Sequence, residues 1–291
     1  MTAIREFAPA KVNLTLSVSG RHANGYHALA SLVAFADVGD SLVLEPCKAP
    51  AVSVRGPFAA ALAGAPNLLD HVLALAAREV PGARLGAVWL EKTLPVAAGL
   101  GGGSADAAAL LRAIRMASLP VSEPIDWRGL AIQIGADVPA CLESRALWMT
   151  GIGETLSDVA GGVPELAALL VNPLVEVPAD KTARVFRVLD APPLASGWCA
   201  EPAPSFRDRA ALIAFLTARG NDLEAAACAV VPAARDVLDA LRADDQAEHV
   251  GVSGAGPTCF AVFADRAAAE AARNRIRATH PEWWAEAVTL R

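Results

Sequence analysis

The chain has 291 residues, 54% hydrophobic and 19% charged, with 25 lysines and arginines against 31 acidic residues and a formal charge of −6. Such a composition supplies a large core and excludes a mostly disordered chain, and its acidic balance argues against a general nucleic-acid binder, whose footprint is basic. Mean hydropathy is +0.37, yet no run free of Asp, Glu, Lys and Arg reaches the ~18 residues of a spanning helix, so no membrane role is expected.

Met1–Lys11 has no apolar signal region and no Arg- and Ser-rich presequence, which predicts a cytoplasmic protein. Val12, Leu14, Leu16 and Val18 alternate with polar residues, the period-two pattern of a half-buried strand. A turn follows at Asn24-Gly25, then an apolar run Leu29–Phe35 and a short strand Ser41–Leu44. Leu68, Leu69, Val72, Leu73 and Ala76 have helical spacing behind Asn67, a good N-cap. Gly86–Leu94 reads as a strand that runs into the glycine cluster Gly99–Gly103 and an alanine-rich helix Ser104–Met116.

The second half has strands at Leu166–Val171 and Val175–Val177, and helices at Thr182–Leu189, Arg207–Ala218 and Ala233–Leu241. Strands at Val250–Ser253 and Thr258–Phe263 flank another glycine turn, before a helix Arg266–Ala278 and a last strand near Trp284–Leu290. Ala191–Pro204 is proline-rich and reads as a surface loop. Blocks of strands and helices without strict alternation indicate an α+β fold in two domains, 1–157 and 158–291.

Cys47, Cys141, Cys199, Cys228 and Cys259 form no C-x-x-C pair, which points to reduced, packed thiols. His22, His71, His249 and His280 lack metal-ligand spacing, so no protein metal centre is expected. The strongest chemical signal is Leu94–Asp106, a strand emptying into glycines and then a helix. Glycines let backbone N–H groups approach a ligand, and a helix start adds unpaired donors and a positive dipole end, together a phosphate cradle. It is neither a Walker A loop, which needs Gly-Lys-Ser/Thr, nor a dinucleotide fingerprint, because Ser104 stands where a Gly or Ala is required. Ser253–Thr258 by itself reads as a hairpin turn, Lys11 as a solvated edge lysine, and Asp137 as a turn or cap aspartate. Tyr26-His27, which follows Asn24-Gly25, is either a base-reading pair or a packed surface turn.

In this order the segments resemble the GHMP kinase superfamily, through Pro9-Ala-Lys11-Val-Asn13, Pro95–Ser104 and Ser253–Gly256. Within it, Arg21-x-x-Asn-Gly-Tyr-His27, Gly135-Ala-Asp-Val-Pro139 and Asn221-Asp-Leu-Glu224 are similar to the branch acting on 4-diphosphocytidyl-2-C-methyl-D-erythritol. The resemblance spans nearly the whole chain and fades in Ser118–Asp126 and Ala191–Pro204. It implies a two-domain GHMP kinase-like fold, a nucleotide-binding N-terminal domain and an α/β C-terminal substrate domain. It also implies phosphorylation of that alcohol's tertiary 2-hydroxyl by ATP with Mg2+.

By the same resemblance, Pro95, Val96, Ala97, Ala98, Gly99, Leu100, Gly101, Gly102, Gly103, Ser104 and Ala105 would wrap the ATP phosphates. Asp137 would take the hydroxyl proton and Lys11 would hold it and the alcohol in place. Asn13, Tyr26, His27, Thr182 and Phe186 would bind the substrate, with cytosine between the rings of Tyr26 and Phe186. Ala97 and Ala98 replace frequent glycines and stiffen the loop, Pro257 removes a donor from the late turn, and Asp106 is expected to point away from the phosphates. The rivals are another kinase of the superfamily, a nucleotide binder without catalysis, and a decarboxylase releasing CO₂ with ADP. Neither the oligomeric state nor the magnesium ligands are legible.

Overall fold

A computed structural model describes residues 2–46, 49–64, 67–119 and 124–291. Cys47 and residues 120–123, part of the segment where the resemblance fades, lie outside them. The first elements are β1 (Ile4–Asn13), β2 (Ser17–Arg21), β3 (His27–Pro46), β4 (Ala51–Arg55), α1 (Leu68–Glu79) and β5 (Gly86–Glu91). Next come α2 (Gly102–Ser118), α3 (Trp127–Ile134), α4 (Val138–Glu143), β6 (Leu147–Gly151), β7 (Thr155–Ser157), β8 (Leu166–Asn172) and α5 (Lys181–Leu189). The chain ends with α6 (Arg209–Arg219), α7 (Glu224–Val230), α8 (Ala233–Arg242), β9 (His249–Val252), β10 (Cys259–Phe263), α9 (Arg266–Thr279) and β11 (Trp284–Leu290). None of the described helices is long and apolar enough to cross a membrane.

The residues group into two compact units that interleave along the chain. One comprises 1–10, 39–96 and 101–144, and the other 11–38, 97–100 and 145–291. The boundary expected at 157/158 falls inside the second unit, directly after β7.

In the first unit, Ser41–Pro46 of β3 pairs antiparallel with β5, and β5 pairs in parallel with β4. Leu42, Leu44, Val88 and Leu90 are wholly buried. Helix α1 starts where Asn67 Oδ1 accepts the Leu69 N–H at 3.0 Å and buries Leu69, Val72, Leu73, Leu75 and Ala76. Helix α2 is almost entirely buried from Ala105 to Ile114, and its alanines let it pack closely against α1 and α4. Arg112 of α2 ties this unit together, donating to Glu6 Oε2 at 2.8 Å, to the Phe7 carbonyl at 2.7 Å and to the Cys141 carbonyl at 3.0 Å.

In the second unit, His27–Val38 of β3 pairs with β2 and β6, and β6 pairs with β7. A second antiparallel set runs β11–β8–β10–β9, in register Cys259↔Val171 and Cys259↔Val252. Its core packs Leu169, Val171, Ala261 and Phe263 of the strands against Val185, Val237, Leu238 and Ile276 of α5, α8 and α9. Cys228 and Cys259 lie in this core, where burial pushes both thiols up.

Several expectations are corrected. The strand expected through Val12–Val18 is two: β1 stops at Asn13 and β2 begins at Ser17. Residues 11–16 are buried on both faces, so the alternation reflects satisfied polar groups rather than a wet face. Ser31 Oγ accepts from Asn13 Nδ2 at 2.7 Å and donates to the Thr15 carbonyl. The separate pieces 29–35 and 41–44 are one continuous strand, β3. Val175–Val177 forms no strand, and β4, α3, α4, β6, β7 and α7 have no counterpart in the expected elements.

Candidate active site

Two glycine turns of the second unit lie against each other. The Ser253 hydroxyl donates to the Gly99 carbonyl at 2.8 Å and accepts the Asn13 N–H at 3.1 Å, while the Thr258 N–H reaches the Ala98 carbonyl at 3.0 Å. A Cβ on Gly99, whose φ is +83°, would stand 2.4 Å from the Ser253 carbonyl oxygen, so only glycine permits this approach. The Ser253–Thr258 segment does close a β9–β10 hairpin, with the Ser253 N–H bonded to the Thr258 carbonyl at 3.0 Å. It is braced from behind by Asn221, whose Nδ2 donates to the Val252 and Gly254 carbonyls, 2.8 Å each.

Lys11 also meets this loop. Its N–H donates to the Leu100 carbonyl at 2.9 Å, and the residue is buried, so the edge-lysine reading is wrong. Lys181, which the sequence did not single out, donates its ammonium to the carbonyls of Ala97, at 2.9 Å, and Gly256, tying the two turns together.

In the first unit, α2 opens at Gly101 with φ +62° and no side-chain cap. The residues of its first turn are Gly102, Gly103 and Ser104, and a Cβ on Gly103 would face open space. Unpaired N–H groups at a glycine-lined helix start fit a polyphosphate. This start is fixed by a buried trio: Lys92 Nζ lies 2.6 Å from Asp40 Oδ2 and 2.6 Å from Asp106 Oδ2. Asp40 Oδ1 also accepts the N–H groups of Thr93 and Leu94, at 2.6 and 2.9 Å. Burial pushes Asp106 up to about 7, opposed by the Lys92 charge and assisted by Asp40. Lys92 is raised, because the two carboxylates outweigh its burial. A lysine directly after the last residue of β5 and an aspartate early in a helix were visible in the sequence; that they pair was not.

Asp137 occupies the N-cap position of α4 but does not cap it with its side chain, and Pro139 sits in the first turn. The cap reading is therefore excluded for its carboxylate. Among the described residues no group of three or more His, Cys, Asp and Glu could hold a metal ion.

Of the substrate residues, Asn13 is buried in the Ser31–Ser253 network, while Tyr26 and Thr182 are exposed. His27 and Phe186 stack on each other, ring centres 4.5 Å apart and planes 23° apart. Phe186 thus meets His27, a contact the expected Tyr26–Phe186 pairing did not include. Burial, then the charges of Arg21 and His22, lower the His27 pKa, keeping its imidazole neutral at pH 7.

Residues 67–145 match the GHMP kinases N terminal domain, and residues 203–282 match the GHMP kinases C terminal family. A curated relative from Paracoccus denitrificans named 4-diphosphocytidyl-2-C-methyl-D-erythritol kinase is 47% identical, covering 98% of this chain and 96% of its own. One from Cereibacter sphaeroides with the same name is 43% identical over 96% of both chains. The chain belongs to the 4-diphosphocytidyl-2-C-methyl-D-erythritol kinase family of GHMP kinases. A crystal structure titled 4-(cytidine 5'-diphospho)-2C-methyl-D-erythritol kinase superposes with a TM-score of 0.74 at 31% identity over 99% of both chains. Homoserine kinase from Cytophaga hutchinsonii, at 19% identity and a TM-score of 0.66, shares the fold. The family's fold and its small-molecule kinase class therefore hold for this chain.

Proposed function

We propose that this kinase transfers the γ-phosphoryl group of ATP to the tertiary 2-hydroxyl of 4-diphosphocytidyl-2-C-methyl-D-erythritol, giving the 2-phosphate and ADP. It would do so in the cytoplasm, in the non-mevalonate route to isoprenoid precursors. The observation that carries the reading is the Ala97–Leu100 loop laced to the Ser253–Thr258 turn, followed by the uncapped start of α2. The names of the full-length relatives supply the acceptor.

In this reading Asp137 accepts the hydroxyl proton as the new oxygen–phosphorus bond forms and the bond to the departing ADP oxygen breaks. A neutral alcohol is a weak nucleophile, so a positioned base contributes about 10²–10⁴-fold. Lys11 supplies positive charge for the alcohol oxygen, and the loop and α2 hold the polyphosphate, since phosphoryl transfer depends mainly on position and charge neutralisation. Magnesium would enter with ATP and offset phosphate charge; Ser104 is the candidate hydroxyl contact. Neutral His27 has both a donor and an acceptor for a cytosine edge, with Tyr26 and Phe186 as stacking surfaces.

ADP release with Mg-ATP would be measured against 4-diphosphocytidyl-2-C-methyl-D-erythritol, homoserine and mevalonate, with Asp137→Ala as control. Turnover confined to the cytidine substrate and lost in the control is expected. Turnover with another alcohol, or none with any, would overturn the reading.

A further inference from the structure

Lys181 is the first residue of α5, and it is buried to 3% exposure. Its ammonium donates to the Ala97 carbonyl at 2.9 Å and to the Gly256 carbonyl. Among the described residues no carboxylate forms an ion pair with it; the adjacent Asp180 pairs instead with Arg184 at 2.6 Å. Burial draws its pKa down to about 8. A buried ammonium answered only by carbonyl dipoles is costly, because nothing offsets its lost hydration in full. An ammonium has three donors, so the two carbonyls leave one to spare. A lysine that merely joined two loops could be replaced by a neutral donor. This one adds a positive charge where the phosphate loop meets the late turn, and a strongly anionic ligand is what that charge lacks.

We propose that Lys181 is a positioning residue for the nucleotide: its ammonium clamps Ala97 to Gly256, and its charge is balanced when polyphosphate binds. The inference rests on reading Ala97–Leu100 as part of the ATP site. It separates two contributions, the clamp and the charge. A neutral donor retains part of the clamp but none of the charge, so a charge-bearing role predicts that Lys181→Gln fails nearly as badly as Lys181→Met.

The test is calorimetric titration of a non-hydrolysable Mg-ATP analogue into the wild type, Lys181→Met and Lys181→Gln. The KM values for ATP and for the alcohol would be measured alongside. Both variants should bind the analogue about tenfold more weakly or worse, with the alcohol KM within about twofold of wild type. Analogue affinity unchanged in either variant, or both KM values rising together, would overturn the proposal. Should neither variant fold, lysine acylation of the wild-type protein read by mass spectrometry decides. Labelling of Lys181 reduced about fivefold by the analogue but not by the alcohol supports it, and equal labelling overturns it. If the wild type itself does not bind the analogue, the ATP-site reading fails first. If it binds normally and the variants do too, only the role of Lys181 fails.

Discussion

Lys92 Nζ lies 2.6 Å from Oδ2 of Asp106, one turn into α2, with both groups buried. The same ammonium holds Asp40, and a Cβ on Gly102 would stand 3.0 Å from it, so the lysine and the first turn of α2 fill one space. Removing one partner of a buried pair leaves uncompensated charge. Lys92→Met should therefore cost about 3–5 kcal/mol in urea unfolding, because two carboxylates lose their cation. Adding Asp106→Asn to it should recover part of that loss, and a double variant no better than the single one would show that the trio is not electrostatically coupled.

The raised pKa of Asp106 sets the sign of a pH dependence. Its folded value of about 7 exceeds the unfolded one, so between the two the folded state holds a proton that the unfolded chain has released. Its contribution is fully present below the unfolded pKa and is lost as pH rises through the folded one. Stability from this group should fall from about pH 4 to about pH 7, and Asp106→Asn should flatten that part of the profile. A wild-type curve with the same slope as the variant would show that Asp106 is ionised throughout. The orphaned Asp106 Oδ1, buried without a hydrogen-bond partner, fits the dominance of desolvation.

Asp137→Asn should lower kcat about 10²–10⁴-fold while leaving analogue affinity within about twofold. The N-cap of α4 does not use this side chain, so the amide should not unwind the helix. Turnover near wild type would remove Asp137 from proton transfer.

His27 and Phe186 stack on each other, and in the proposed function these rings and Tyr26 meet the cytosine. Stacking contributes about 1–3 kcal/mol per base, so Phe186→Ala and Tyr26→Ala should each raise the cytidine substrate's KM at least fivefold or so, with that of ATP unchanged. Equal effects on the two KM values would mean that the rings support the fold and not the base.

Much of this was legible locally. Asn67 caps α1, the glycine cluster opens α2, and the Asn24-Gly25 turn joins β2 to β3, with the His22 N–H donating to the Tyr26 carbonyl. The family motifs include both the end of β1 and the late turn, some 240 residues apart, which meet where the Asn13 N–H reaches the Ser253 hydroxyl. What stayed hidden was long-range partnership. Lys181 lies just before the helix expected at Thr182–Leu189, and its acceptors are 84 and 75 residues away in sequence. Thr15 and Asn13 looked solvent-facing because period two cannot distinguish a wet face from a buried one whose polar groups are satisfied, here by Ser31 Oγ for the Asn13 amide and by the Leu32 N–H for the Thr15 hydroxyl.

Ala97, exposed between half-buried Val96 and buried Ala98, takes φ +55°, a left-handed conformation that glycine adopts freely and alanine does not. The residue is held there because its carbonyl receives Lys181 and the next carbonyl receives the Thr258 N–H. Ala97→Gly relieves the steric cost but increases the freedom of the unfolded chain, so the two terms of about 1 kcal/mol should nearly cancel. Ala97→Val has no such offset, because branching at Cβ makes positive φ an outlier. It should lose about 1–3 kcal/mol of stability and weaken ATP more than the alcohol, since the strained residue is part of the loop and not of the cytidine surface. Thermal unfolding with and without Mg-ATP analogue separates the two effects. A valine variant as stable as wild type, with the same ligand-induced shift in Tm, would show that the loop relaxes out of the left-handed conformation at no cost.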